Sequence, residues 1–296
     1  MAELLISFCN VRQFTAKRNR RWLLLLDTKS KQTKWVKIPD LGDSVLGATG
    51  ILRRDSDILV ALHHKDGVSS ILQLDKTLTA ARHDFFDSVK DVHSLAVDGD
   101  TVITTSTATD SLVRFRFDGS IREERLVHAF SNGSQDSLHV NSVALTSSYG
   151  LVVSMFGTRP EGGWQTARAG QVTTLTGEVL VSDLRHPHSL ATAGTGSVCF
   201  VESLSGTLFR VDDKGLIYRV DVGRDGYVRG LATSADTAYV GVNVARDRSK
   251  STGLLVGKLF ALGHSYICRL DISSGKHEGN FELTGLGDEI YDIAVL

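Results

Sequence analysis

Four short segments are near copies of one another at a spacing of forty-odd residues, and this repeat constrains the fold more than any other feature. They are Asp91-Val92-His93-Ser94-Leu95-Ala96, Val140-Asn141-Ser142-Val143-Ala144, Pro187-His188-Ser189-Leu190-Ala191 and Val228-Arg229-Gly230-Leu231-Ala232. Residues 48–52 and 290–294 fit the pattern more loosely. The aligned position is Thr49, His93, Asn141, His188, Arg229 and Tyr291, in steps of 44, 48, 47, 41 and 62 residues. A short β-rich run follows each copy, as at residues 58–62, 102–105, 151–154, 198–201 and 238–242. A third run alternates apolar and polar residues and ends on Asp, as at 113–118 and 208–212, which reads as a half-buried strand entering a tight turn. A weaker fourth run completes each unit. Four short strands repeated at this period make a propeller blade.

Counting units predicts an all-β, six-bladed β-propeller as a single domain over residues 1–296. Blade 1 takes residues 2–40 plus 288–296, blade 2 takes 45–88 and blade 3 takes 90–130. Blades 4, 5 and 6 take 138–184, 186–223 and 226–286. The N-terminal unit has no first strand, and residues 289–296 form a first strand with nothing after it. Pairing the two closes the ring and leaves no open sheet edge. No segment keeps a 3.6-residue period for ten residues, which excludes a helical fold. A β-sandwich predicts neither the repeat nor the split unit.

Composition narrows the class. At 42% hydrophobic residues the chain has material for a core, and 33 Lys+Arg against 34 Asp+Glu give a net charge of −1. That balance argues against nucleic acid as a partner. No apolar run approaches the roughly 18–20 residues a membrane helix needs. Glu3 precedes only a very short apolar run, unlike a secretory signal. Cys9, Cys199 and Cys268, odd in number and far apart, make no disulfide framework. The expectation is a cytoplasmic protein with a small-molecule or peptide substrate and no membrane or nucleic-acid partner; oligomeric state stays open.

The segment Glu202-Ser203-Leu204-Ser205-Gly206-Thr207-Leu208-Phe209-Arg210-Val211-Asp212 resembles blades of the NHL, gluconolactonase and strictosidine-synthase-like propellers. The whole chain is also similar to a bacterial propeller family known only as a domain of unknown function. Blade motifs identify an architecture and carry little chemistry.

In a propeller the first strand of each blade lines the central channel, so the aligned residues should converge at one mouth. Two positions upstream of them stand Gly47, Asp91, His139, His186, Tyr227 and Glu289. Residues two apart on a strand share a face. His139 with Asn141, and His186 with His188, are thereby expected to point inward together. His93, His139, His186, His188, Asn141 and Glu289 are the candidate ligands of a divalent metal ion, zinc first, with calcium or another divalent ion as the alternative. A water-filled channel whose histidines bond to one another and to backbone is the competing reading. The site also resembles that of the peptide-amidating lyases of the propeller class. The resemblance implies histidines from different blades on one zinc, beside a Tyr and an Arg, here matched by Tyr291 and Arg229. Gluconolactonase-like enzymes use Glu, Asn and Asp ligands, which Asn141 and Glu289 would match, but His188 stands where an Asp is wanted.

Other features surround the mouth. One of His63 and His64, which end a second strand, should face it. Arg159 and Trp164 lie in a Gly-rich loop that reads as a rim wall open to a ligand. Basic residues at 17–21, and Arg246, Arg248 and Lys250 in an insertion at 243–263, add positive charge, and residues 254–262 read as a short lid helix. Cys9 has no defined base beside it. Two functions follow. One is a metal-dependent lyase, hydrolase or isomerase acting on a small anionic substrate, with Arg229 fixing a carboxylate or phosphate and Tyr291 or a free histidine moving a proton. The other is a non-catalytic propeller that binds a peptide, sugar or partner protein on its loop face.

Overall fold

In the computed structural model each repeat is a four-stranded antiparallel sheet. The structure describes residues 2–9, 21–132, 135–194, 196–223, 226–243, 265–283, 285–286 and 289–296. Residues 17–20 and most of the 243–263 insertion, with the expected lid helix, lie outside them.

Blade 1 holds β1 (Glu3–Phe8), β2 (Leu23–Asp27) and β3 (Thr33–Trp35). Blade 2 runs β4 (Val45–Arg53), β5 (Asp57–His64), β6 (Val68–Asp75) and β7 (Ala80–Lys90). Blade 3 has β8 (Val92–Asp98), β9 (Thr101–Ser106), β10 (Ser111–Phe117) and β11 (Ile121–Ala129). Blade 4 has β12 (Val140–Thr146), β13 (Gly150–Met155), β14 (Gly170–Thr174) and β15 (Val179–Leu184). Blade 5 comprises β16 (Pro187–Ala193), β17 (Ser197–Glu202), β18 (Thr207–Asp212) and β19 (Gly215–Asp221). Blade 6 comprises β20 (Tyr227–Ser234), β21 (Thr237–Asn243), β22 (Tyr266–Asp271) and β23 (His277–Glu282), and β24 (Ile290–Val295) ends the chain.

β24 completes blade 1 as its innermost strand, in the order β24-β1-β2-β3. The pairs Leu4–Val295, Leu5–Ala294, Ile6–Ile293 and Ser7–Asp292 close the ring, as the split unit predicted.

Second strands are sandwiched between neighbouring blades, so they read as continuous apolar runs rather than alternating ones. β17, Ser-Val-Cys-Phe-Val-Glu, is buried at every residue. Outer strands such as β11 and β19 are mostly exposed, β11 with four charged residues and β19 with Leu216 and Ile217 facing solvent. The core is accordingly a set of inter-blade clusters. Leu59, Ala61 and Ile71 of blade 2 meet Val92, Leu95 and Phe115 of blade 3. Leu4, Ile6 and Leu24 of blade 1 meet Tyr239, Ile267 and Phe281 of blade 6.

Every innermost strand departs from regular pairing at the aligned position. The register slips between Ala48 and Ile51, Val92 and Leu95, Val140 and Ser142, His188 and Ala191, and Val228 and Leu231. In blade 1 it slips where Ser7 and Phe8 face Asp292 and Ile290, skipping Tyr291. Such bulges bend a strand and re-aim its side chains. They also free the next residue to tie neighbouring blades. Asp292 Oδ2 accepts Ile51 N at 2.8 Å, Ser94 Oγ accepts Val143 N at 3.3 Å, Ser142 Oγ accepts Leu190 N at 3.2 Å and Ser189 Oγ accepts Gly230 N at 2.9 Å. Gly230, at φ +78°, lets its backbone approach Asp292 directly.

Candidate functional site

Three residues just ahead of the innermost strands, Asp91, His139 and His186, have φ between 54° and 58°. Asp and His tolerate this left-handed region better than most residues, and holding them there turns their side chains into the mouth. The aligned residues stand beside them.

In blades 5, 6 and 1, His188 Nε2 accepts a 2.6 Å hydrogen bond from Arg229 Nη2. His188 Nδ1 donates to His186 O at 3.0 Å and to Ser203 Oγ at 2.7 Å. The Arg229 guanidinium lies 4.0 Å from the centre of the Tyr291 ring and 5.9 Å from that of Tyr227. Arg229 is 8% exposed, its Nε has no hydrogen-bond partner, and no carboxylate among the described residues pairs with it. Neither Asp91 nor Glu289, the two acids near it in the repeat, forms an ion pair with it.

His186 stacks on Phe156, with ring centres 4.5 Å apart and planes 8° apart. Its Nε2 donates to Trp164 O at 2.7 Å and its Nδ1 accepts from Tyr227 OH at 3.0 Å. Burial holds His93 at about 4 and His186 at about 3. His188 is held well below its ordinary value by burial and then by Arg229. All three are neutral imidazoles at neutral pH.

In blades 2 to 4 the partners are carboxylates. His93 donates through Nε2 to Asp91 Oδ1 at 3.1 Å and accepts from Asn141 Nδ2 at 2.8 Å. His63 Nδ1 approaches the same oxygen to 2.9 Å, too poorly aligned for a linear hydrogen bond. His64 turns away to Ser44 and Ser70. Burial works against the Asp91 charge, but His93 and His63 overcome it and keep the carboxyl well below its ordinary range. His139 Nδ1 lies 3.0 Å from Asp136 Oδ2, which also accepts Trp164 Nε1 at 2.8 Å. Neither His63 nor His139 uses its Nε2 within the fold. Such a carboxylate-held imidazole with one open nitrogen is equipped for proton transfer. The His93 ring lies 5.5 Å from that of His139 and 5.4 Å from that of Tyr291, joining the two halves.

The expected metal centre is a separate question. Among the described residues no three His, Cys, Asp or Glu side chains come together as a metal would require. The physical reason is that both ring nitrogens of His93, His186 and His188 are taken by the hydrogen bonds above. Asn141 spends its amide on His93, and Glu289 is buried ahead of β24. The residues present therefore do not fit the zinc or calcium site expected from the sequence.

One rim expectation changes. Trp164, read as open to a ligand, is 8% exposed in a short 3-10 turn and forms the wall behind His139. Arg159 is exposed, with its guanidinium 5.6 Å from the Trp164 ring. Of the basic 17–21 segment only Arg21 is described, over Trp35 at 5.6 Å. Sequence reasoning missed Asp136. Its signal, an acid three residues before His139, is visible only once the loop is known to curl back.

Comparison with known proteins supports the architecture. A family model described as a domain of unknown function, DUF4915, matches residues 55–296. No curated protein matches the sequence. Among solved structures, the nidogen/laminin complex aligns over 100% of this chain and 98% of that one, at 13% identity and TM-score 0.66. A proposed 6-phosphogluconolactonase of Bacteroides fragilis covers the same shares at 10% identity and TM-score 0.60. A streptogramin B lyase aligns over 92% of this chain and 79% of its own, at 15% identity and TM-score 0.54. At these identities the likeness is one of fold. No helix among the described residues is long and apolar enough to cross a membrane.

Proposed function

We propose, for a chain that belongs to the DUF4915 family and so takes no named activity from it, a function read from its own site. The protein is an enzyme that holds a small carboxylate or phosphate substrate on Arg229 at the channel mouth. It moves a proton on that substrate through His139, oriented by Asp136. The observation that carries this reading is Arg229, a nearly buried guanidinium with an unused Nε and no carboxylate partner. Desolvating such a charge costs several kcal/mol unless an anion joins it, so an anionic ligand is the missing partner. His188, Tyr227 and Tyr291 fix the guanidinium without neutralising it.

His139 supplies the chemistry. Asp136 occupies its Nδ1, which leaves Nε2 to take a proton from the substrate or return one. Elimination and isomerisation begin with such a transfer, and in hydrolysis the same nitrogen would take its proton from the attacking water and return it to the leaving group. The propeller lyase and the proposed lactonase among the structural neighbours support an enzymatic use of this architecture. No step runs through a metal, because the donors do not fit one.

The test has two arms. Inorganic phosphate or succinate should raise the melting temperature at low ionic strength, and the effect should fade as salt screens the charge. Arg229→Lys should abolish it, since an ammonium cannot reproduce the guanidinium geometry. For any substrate found by screening carboxylates, phosphate esters and lactones, His139→Gln should remove turnover and leave binding intact. An Arg229→Lys protein that responds to anions like wild type overturns the anchor, and full turnover by His139→Gln overturns the base.

A further inference from the structure

We infer that the substrate is a zwitterion, its anionic end on Arg229 and a protonated amine on Asp91. This rests on the anion-binding reading above and extends it to the opposite wall of the mouth.

Asp91 is the counterpart of Arg229 in the carboxylate half of the site. Both close histidine contacts, His63 Nδ1 at 2.9 Å and His93 Nε2 at 3.1 Å, fall on one oxygen, Oδ1. The other, Oδ2, meets no donor among the described residues, and the side chain is 26% exposed. His93 is neutral, so its hydrogen bond orients the carboxylate without cancelling its charge. Asn141 fixes the far side of the same ring at 2.8 Å.

The two charges share one wall. From Arg229 the path runs 4.0 Å to the Tyr291 ring, 5.4 Å on to the His93 ring, and from His93 Nε2 3.1 Å to Asp91 Oδ1. Two aromatic rings thus separate a guanidinium with no carboxylate beside it from a carboxylate that no Lys or Arg among the described residues reaches. Arg229, at 8% exposed, is already largely desolvated, whereas the Asp91 side chain, at 26%, still reaches solvent. A ligand that covers both closes Asp91 off as well, and each charge then needs its opposite or the desolvation opposes binding. A simple carboxylate satisfies Arg229 and leaves Asp91 stranded. A ligand with an ammonium two ring-widths from its carboxylate satisfies both, and the aromatic wall between favours a cation over it.

The probes are γ-aminobutyrate, δ-aminovalerate and ε-aminocaproate, each measured against butyrate, valerate or caproate by calorimetry at low ionic strength and neutral pH. At the fitting length the amino acid should bind about tenfold or more tighter than its matched carboxylate, a difference of about 1.4 kcal/mol. Asp91→Asn should erase that preference from both sides, weakening the amino acid that loses its charge partner and tightening the matched carboxylate, which no longer strands an acid. Asn also tolerates the left-handed backbone at this position, so the variant keeps its local fold. Arg229→Met should abolish binding of both series. Equal affinity for amino acid and carboxylate at every length overturns the inference and leaves the anion reading standing. Failure of wild type to bind either series overturns both.

Discussion

Acidification should unfold this protein by an amount that the buried histidines set. Burial holds His64 and His93 at about 4 and His186 at about 3, against an ordinary 6.5, and holds His188 well below that value. A group whose folded pKa is depressed binds its proton first in the unfolded chain, so stability falls as pH drops below the unfolded value. Between about pH 7 and pH 5 each of His64, His93 and His186 withdraws about 2 kcal/mol, at about 1.4 kcal/mol per pKa unit, and His188 acts in the same direction. Asp292 acts in the opposite sense. Burial lifts it to about 7, so it takes a proton in the fold first, and acidification returns about 2 kcal/mol. The depressed carboxyls, Asp57 and Asp91, are lost only below about pH 4 and do not enter this window. These three histidines less one aspartate leave a net loss on the order of 4 kcal/mol, to which His188 and His83 add in the same direction, a large part of the 5–15 kcal/mol typical of a folded domain. Urea unfolding followed by tryptophan fluorescence at half-unit pH steps measures it. His186→Phe keeps a ring against Phe156 and removes one titrating group, so its slope near pH 5 should be shallower by about 1.4 kcal/mol per pH unit. A stability that stays flat from pH 7 to 5, or a variant slope equal to wild type, refutes the reasoning.

Arg229→Met should leave stability within about 2 kcal/mol of wild type by thermal melting. Relief of a desolvated charge is offset by the loss of the Tyr291 contact and of the donor to His188; a loss above about 4 kcal/mol would mark the arginine as a structural ion-pair member. Deleting residues 289–296 removes the innermost strand of blade 1 and exposes its edge, and should give aggregation or non-cooperative unfolding by size exclusion and melting. Gly47→Ala places a Cβ 2.4 Å from Cys9 Cα and 2.8 Å from Phe8 O, contacts that backbone must move to relieve. It should destabilise by about 3 kcal/mol or more in urea, and a neutral result would show that β1 and β4 are not pinned there.

Much of the scaffold was legible because the repeat aligns residues that do the same job in every blade. The alignment of Thr49, His93, Asn141, His188, Arg229 and Tyr291 by itself marks the mouth of the channel. The hydrogen bonds there were not legible, and they decide the chemistry. Clustered histidines suggest a metal by residue type alone. Only the geometry shows His186 bonded to Trp164 O and Tyr227, and His188 to Arg229. Trp164 was misplaced because a Gly-rich loop reads as surface, whereas this one folds inward to put its indole on Asp136. The rule that residues two apart share a face served as a guide, but the bulge at the aligned position overrides it locally. A bulge has no sequence signature when neither residue in it is glycine.

That bulge also has an evolutionary consequence. In blades 1, 3, 4 and 5 the residue displayed at the mouth and the residue that ties one blade to the next are neighbours with separate duties. His93 meets the site while Ser94 holds blade 4, and Tyr291 faces Arg229 while Asp292 holds blade 2. With Thr49 as the exception, whose hydroxyl bonds Val92 O, drift at the displayed position leaves the ties intact. Such a ring behaves like a chuck with six interchangeable bits. Its specificity can be rewritten one blade at a time, and every intermediate along the way remains a closed, folded molecule.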